Sequence, residues 1–104
     1  MDSQHFQDVS RLLKVIGQAH RLKIMWLCLD SALSVSELVD ALGDLPQSLV
    51  SHHLKQLRDA NLISDRRDGK RIRYQVIDEC IRCIIKDIMA HTAGKQKRAK
   101  AQVR

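Results

Sequence analysis

Aromatic residues are nearly missing from this chain: one Phe, one Trp and one Tyr, 3% of 104 residues. With so few, each at an apolar position expected to face inward (Phe6, Trp26, Tyr74), no stacking platform for RNA bases can be assembled. Proline occurs once and glycine four times, so there is no Pro- or Gly-rich linker, and no internal repeat is visible. A Gly-rich phosphate loop is also missing. His52 and His53 adjoin without any partner set for nucleophilic catalysis, and neighbours on a helix point about 100° apart, a poor arrangement for sharing a metal. These gaps argue against an enzyme. No apolar run reaches transmembrane length. The polar start Met1-Asp2-Ser3-Gln4-His5 lacks the basic and apolar stretches of a signal peptide. The expectation is a cytoplasmic protein with no membrane partner. In that reducing compartment its three cysteines serve as free thiols or metal ligands rather than structural disulfides.

What the chain does contain is 44% apolar residues, enough for one compact domain. A domain this small and this poor in aromatics gains stability from outside help such as dimerisation. The net charge of +6 is unevenly spread. Residues 1–61 carry −1, 62–77 carry +3, 78–93 carry −1 and 94–104 carry +5. Positive charge localised beside a neutral body suggests a polyanion partner. The chain divides into a folded domain over residues 1–93 and a basic tail over 94–104. The tail (Lys95, Lys97, Arg98, Lys100, Arg104) has no apolar periodicity and is expected to be disordered.

The periodicity predicts a mainly α-helical fold of about five helices and a small two-stranded hairpin. A first helix fits 5–17, with Phe6, Val9, Leu13 and Ile16 on one face and Gly17 as its stop. A second, nearly all-apolar helix fits about 19–30 and is expected in the centre. Ser34 stands three residues before Glu37, a capping-box pair that opens a third helix carrying Leu38, Val39 and Leu42 and stopping near Gly43. Pro46 fits the first turn of a fourth helix running to about Ala60, with Leu49, Val50, Leu54 and Leu57 inward. Two helices joined by a short Gly-containing turn form a helix-turn-helix. From Ile63 to Val76 the period changes to two. Asp68-Gly69 signals a type I′ turn, and Ile72, Tyr74 and Val76 share one face of the return strand opposite Arg71, Arg73 and Gln75. A last helix fits about Asp78 to Ala93, with an apolar stripe of Ile77, Ile81, Ile84, Ile85, Ile88 and Met89.

An α-helix fits the DNA major groove, and short polar side chains near its start can reach base edges. The outer face of the fourth helix offers Gln47, Ser48, Ser51, His52 and Lys55. Wing cations Arg67, Lys70, Arg71 and Arg73 can hold phosphates or enter a minor groove. The alternative, a merely solvated polar face, loses ground because helix-turn-helix and basic wing occur together.

The stretch Pro46-Gln47-Ser48-Leu49-Val50-Ser51-His52-His53-Leu54-Lys55-Gln56-Leu57-Arg58-Asp59-Ala60-Asn61-Leu62-Ile63 is followed by Arg66-Arg67-Asp68-Gly69-Lys70-Arg71-Ile72-Arg73-Tyr74. Together they resemble the recognition helix and wing of the ArsR/SmtB family. Ala19-His20-Arg21-Leu22 resembles the start of that family's second helix. The resemblance covers roughly residues 6–92. It implies a winged helix-turn-helix repressor, dimeric through its first and last helices. Such a repressor binds double-stranded operator DNA with an inverted repeat and is released by an inducer. By matching positions, it places Gln47, Ser48, Ser51 and His52 on DNA.

The family's inducers include soft metals and metalloids. The arsenic-type cysteine pair at the start of the third helix is absent here, where the chain reads Val35-Ser36-Glu37-Leu38-Val39. The family's other site lies on the last helix. Asp78 and Cys80 match its first half and His91 its second, while Gly94 occupies the fourth ligand position. Cys80 and His91 are about 16 Å apart along one helix, so only an antiparallel partner could bring them to one zinc or cadmium ion. Cys80 and Cys83, three apart, could instead form a thiolate cluster with Cys28 or with the partner, suited to trivalent arsenic, cadmium or reactive sulfur. Against both stand plainer roles: Asp78 as a helix cap, His91 as a surface residue, and the cysteines as small apolar fillers. A regulator without a metal site, constitutive or controlled by redox state or a partner, therefore stays open. So does a winged-helix protein-interaction module, which a salt-dependent affinity for duplex DNA would exclude.

Overall fold

Most helices begin where a side chain is placed to cap them. The Asp2 carboxylate accepts the His5 N–H at 2.9 Å and opens α1, Ser3–Ile16, which closes as Gly17 donates to the Leu13 carbonyl. Gln18 accepts the Arg21 N–H at 2.8 Å and opens α2, Ala19–Leu27. The expected capping box is present: Glu37 N–H donates to Ser34 Oγ and Ser34 N–H to Glu37 Oε1, starting α3, Val35–Leu42. Gly43 ends it in the left-handed region at φ 76°, where a Cβ would be strained. After a short turn, α4 runs Gln47–Asp59. Pro46 is its N-cap rather than its first residue, and no side chain caps that end.

The end of α4 is a Schellman arrangement. Asn61 N–H donates to Arg58 O at 3.0 Å and Leu62 N–H to Leu57 O at 2.9 Å, with Asn61 at φ 58°. β2 (Ser64–Asp68) and β3 (Arg71–Gln75) form the hairpin, and α5, Glu79–Gln102, completes the order. The computed structural model describes the backbone of residues 1–102 and the side chains of residues 1–94. α5 continues beyond the expected end near Ala93, so the boundary drawn at 93–94 falls inside a helix. The basic side chains of the tail, 95–104, lie outside the described residues.

The core is built by α2, α3 and α4. Ile24, Met25, Cys28 and Leu29 meet Leu38, Val50, Leu54 and Leu57, with Leu62, Val76 and Ile85 closing the sides. Full burial of each such side chain stabilises the fold by about 1.5–3 kcal/mol.

Several expectations need correction. α2 ends at Leu27, not near residue 30, because the chain leaves it to lay down β1, Leu33–Ser34. β1 pairs antiparallel with β3 (Leu33 with Tyr74, Ser34 with Arg73), making a three-stranded sheet of order β1-β3-β2. The hairpin loop is Gly69-Lys70, since Asp68 still pairs with Arg71. Only Gly69 has positive φ, 64°, so the turn is not type I′, which needs two such residues.

The apolar stripe of α1 is divided. Leu12, Val15 and Ile16 pack on the core, whereas Phe6, Val9 and Leu13 face outward, Phe6 being 66% exposed. Trp26, Leu49, Ile72, Ile77, Ile84 and Ile88 are also exposed in the protomer, against the expected inward placement. Ile72 is exposed because it stands on the part of the hairpin that extends past β1.

Candidate nucleic-acid interface

Val50, Leu54 and Leu57 are buried at helical spacing, and this fixes which side of α4 faces outward. The outward side presents Gln47, Ser48, Ser51, His52 and Lys55, all exposed. With no side-chain cap at Pro46, the first amides of α4 remain open to an anion. Arg67, Lys70 and Arg71 are exposed on the hairpin. One surface hollow is lined by Ser36, Gln47, Lys70 and Arg71 together, so the start of α4 and the wing tip border the same space.

Arg73 departs from the expectation of an outward phosphate contact. Its side chain is 25% exposed, and its donors are taken inside the molecule. Nη1 donates to Glu37 Oε1 at 2.7 Å and to the Ala32 carbonyl at 3.2 Å, and Nε to Asp68 Oδ2 at 2.9 Å. The bond to Asp68 and the charge of Glu37 make Arg73 more basic than usual. Glu37 is held below the ordinary carboxyl range, first by its hydrogen bonds with Ser34 and then by Arg73. Strand alternation alone placed Arg73 outside with Arg71. It could not show that Ala32, Glu37 and Asp68 surround that position.

Behind α4 lies a second polar group that periodicity does not reveal. Arg21 Nε donates to Val15 O at 2.7 Å and Nη1 to Gln56 Oε1 at 2.8 Å, with Nη2 at 3.4 Å from Lys14 O. It thereby closes the C-terminal carbonyls of α1 and ties them to α4. His20 Nε2 lies 3.1 Å from Asp44 Oδ2 in the turn, and this contact lowers the Asp44 pKa. The His20 ring stacks on His53 with centroids 6.1 Å apart. His53 Nδ1 is buried with no partner. Burial, then the Arg21 charge, pushes the His53 pKa below its ordinary value.

The expected sensing residues do not come together in one protomer, and among the described residues no group of three or more His, Cys, Asp or Glu side chains could hold a metal. Cys28 is fully buried at the C-cap of α2, and burial pushes its thiol up to about 12, so it is no thiolate at neutral pH. Cys80 and Cys83 are exposed on the first turns of α5. Cys83 donates to Glu79 Oε1 at 3.7 Å, and desolvation together with Glu79 raises its pKa. Asp78 accepts the Ile81 N–H at 3.1 Å, the capping role that competes with metal binding. His91 is exposed. Arg82, unremarkable in the sequence, pins α5 to the body through the Leu29 carbonyl and Asp30, the latter at 3.1 Å.

Comparison with known proteins gives the same picture. The family model described as bacterial regulatory protein, arsR family, matches residues 19–65. The HTH-type transcriptional repressor SmtB of Mycobacterium tuberculosis is 38% identical over 77% of this chain, which spans 58% of the relative. The chain thus spans about three-fifths of the length of the first curated relatives it matches. The HTH-type transcriptional regulator NmtR of Mycobacterium tuberculosis is 30% identical over 88% of this chain and 76% of its own length. Among solved structures, the transcriptional repressor PagR of Bacillus anthracis superimposes with a TM-score of 0.70 at 33% identity, over 84% of this chain and 99% of PagR.

Proposed function

The chain belongs to the ArsR family of bacterial regulatory proteins, and on that footing we propose that it is a cytoplasmic, sequence-specific transcriptional repressor. The single observation that carries the reading is the hollow shared by Gln47 of α4 and Lys70 and Arg71 of the wing. A base-reading helix and a phosphate-holding ribbon can then engage one stretch of duplex. Gln47, Ser48, Ser51 and His52 meet base edges, Gln47 being able to bond adenine with both amide atoms. Lys55, Arg67, Lys70 and Arg71 hold the backbone.

The operator is an inverted repeat read by a homodimer. The exposed apolar residues of α1 (Phe6, Val9, Leu13) and α5 (Ile84, Ile88) supply the dimer surface. The inducer is a metal, metalloid or thiol-reactive species, as the relatives called arsenical resistance operon repressor (Staphylococcus aureus) and probable mercury resistance operon repressor (Streptomyces lividans) suggest for their own cases. In this chain the donors fit such a group only on α5: Cys80 and Cys83, joined by His91 of a partner subunit, and not Cys28, whose thiol is locked in the core. Soft thiol and imidazole donors suit zinc, cadmium or trivalent arsenic, which would bias the dimer toward a spacing of the two α4 helices that no longer matches the operator.

Fluorescence anisotropy of the reduced protein tests this on a duplex from upstream of its own gene, with and without stoichiometric arsenite or zinc. Tight, salt-dependent binding relieved by one of them is expected. Equal affinity for every duplex at physiological salt would overturn the repressor reading. Binding indifferent to both ions would remove the metal-type inducer and leave the constitutive or redox-controlled alternative.

A further inference from the structure

We infer that Arg73 is a positioning residue of the DNA grip: it bolts the free-standing wing to the first helix of the helix-turn-helix and holds no phosphate itself. The inference rests on the DNA-binding reading above and adds to it the device that sets the wing's orientation.

Arg73 marks the last rung of the hairpin that has a third strand beside it. β1 pairs Leu33 with Tyr74 and Ser34 with Arg73, and there it stops. From Ile72 round to Arg67 the two strands have only each other. A two-stranded ribbon alone is marginally stable and twists readily, yet it carries Arg67, Lys70 and Arg71. Something must hold its direction relative to α4 if those cations are to meet phosphates in register with the bases read by Gln47. The Arg73 guanidinium does this from both sides. Its Nε holds Asp68, the last residue of β2, at 2.9 Å, and its Nη1 holds Glu37 at 2.7 Å. Glu37 is itself fixed, because its Oε1 accepts the Ser34 N–H at 3.0 Å in the capping box of α3. α3 packs against α4 through the core residues Leu38 and Leu42. A continuous chain of contacts therefore runs from wing tip to recognition helix, with Arg73 as its middle link.

The charges are consistent with this role. Arg73 neutralises Asp68, a largely exposed carboxylate close to the wing cations that would otherwise repel DNA. For Arg73 to hold a phosphate it would first have to leave two carboxylates and the Ala32 carbonyl. The two roles predict opposite outcomes. A phosphate contact is strengthened by removing Glu37, is largely rescued by lysine, and contributes about one unit to the slope of log affinity against log salt. A bolt is broken by removing Glu37 and is not rescued by lysine, whose single ammonium cannot reproduce the fork.

The test is anisotropy on the upstream duplex across a salt series, with Arg71→Gln as the phosphate-contact reference. Arg73→Gln is expected to weaken binding about tenfold with an unchanged salt slope. Arg73→Lys should weaken it comparably, and Glu37→Gln should weaken rather than tighten it. In the Arg73→Gln background Lys70→Ala should cost little further affinity, because the wing tip is already out of place, while Gln47→Ala keeps its full cost. Uniform destabilisation would not produce that selectivity. Should Arg73→Gln fail to fold, Arg73→Lys and Glu37→Gln carry the same comparison. A reduced slope in Arg73→Gln, affinity retained by Arg73→Lys, or tighter binding by Glu37→Gln would each overturn the inference. Absence of salt-dependent binding by the unmodified protein would instead overturn the DNA-binding reading beneath it.

Discussion

Replacing Arg21 by methionine keeps the length of the side chain but removes every donor, and the structure allows its cost to be worked out. The guanidinium makes two short bonds, to Val15 O at 2.7 Å and to Gln56 Oε1 at 2.8 Å, and a longer one to Lys14 O at 3.4 Å. Hydrogen bonds from a charged donor contribute about 1.5–3 kcal/mol each, less where water can replace them. The Val15 and Lys14 carbonyls sit at the end of α1, where water can reach part of the gap. The loss is therefore expected at roughly 2–3 kcal/mol, including the cation removed from a helix C-terminus. For a chain of this size that corresponds to a fall in melting temperature of about 10–15 °C. The effect should not stop at the protomer. Arg21 holds the end of the helix that displays Phe6, Val9 and Leu13, so the variant should also dimerise more weakly. Arg21→Lys, which can reach one acceptor but not three, should fall between the two. Thermal melts by circular dichroism at fixed protein concentration, paired with sedimentation, make the measurement. A melting temperature within about 2 °C of the parent would refute the role assigned to Arg21.

Other outcomes follow from single contacts. Ile88→Glu should raise the dimer dissociation constant at least about tenfold by sedimentation while leaving the melt of the protomer intact, since Ile88 is 49% exposed and supports no core. Burial and Arg21 hold the His53 pKa below its ordinary 6.5, so the unfolded chain takes up that proton first. Stability should therefore be flat above pH 6.5 and decline as the pH falls below it, and urea melts of His53→Gln should lose less than the parent between neutral pH and about pH 5. Asn61 sits at φ 58°, so Asn61→Val should destabilise by about 1–2 kcal/mol whereas Asn61→Gly is tolerated; identical melts would contradict the strain. In native protein a maleimide should label Cys80 and Cys83 but reach Cys28 only in denaturant, as peptide mass spectrometry can read.

What could be read from the sequence and what could not divide along a physical line. Helix starts were legible because caps are local: Ser34 and Glu37 stand three residues apart in sequence and meet as a capping box. The buried side of α4 was legible at Val50, Leu54 and Leu57, and with it the polar side opposite. Contacts between residues far apart in sequence were not. β1 is two residues long, too short for any alternation, yet it supports the wing. Arg73 lies on the expected side of β3, but its partners Ala32 and Glu37 come from the other end of the domain. Arg21 and Arg82 look like ordinary surface cations until the carbonyls of Val15 and Leu29 are seen beside them. The stripes of α1 and α5 show a different limit. Periodicity states that a face is apolar, not whether its own chain or another one covers it, and here Phe6, Leu13, Ile84 and Ile88 are left uncovered by their own protomer.

That uncovered surface bears on how an inducer could act. On α5 the positions 80, 84 and 88 recur every four residues and 91 follows three later, so Cys80, Ile84, Ile88 and His91 lie along one side of the helix. In the proposed dimer this side is where the protomers meet. A ligand taken by Cys80 would lie within the interface, and its binding energy would enter the spacing of the subunits directly. A ligand at Cys28 would first have to open a core in which that thiol is fully buried and its pKa pushed up to about 12. Such opening costs a large fraction of the few kcal/mol by which a domain of this size is stable. Control through α5 therefore needs only a shift between two dimer arrangements, whereas control through Cys28 needs partial unfolding. Because each recognition helix is tied to its own wing through α3, Glu37 and Arg73, a change in dimer spacing would move helix and wing as one body. The operator would then be lost as a whole rather than contact by contact.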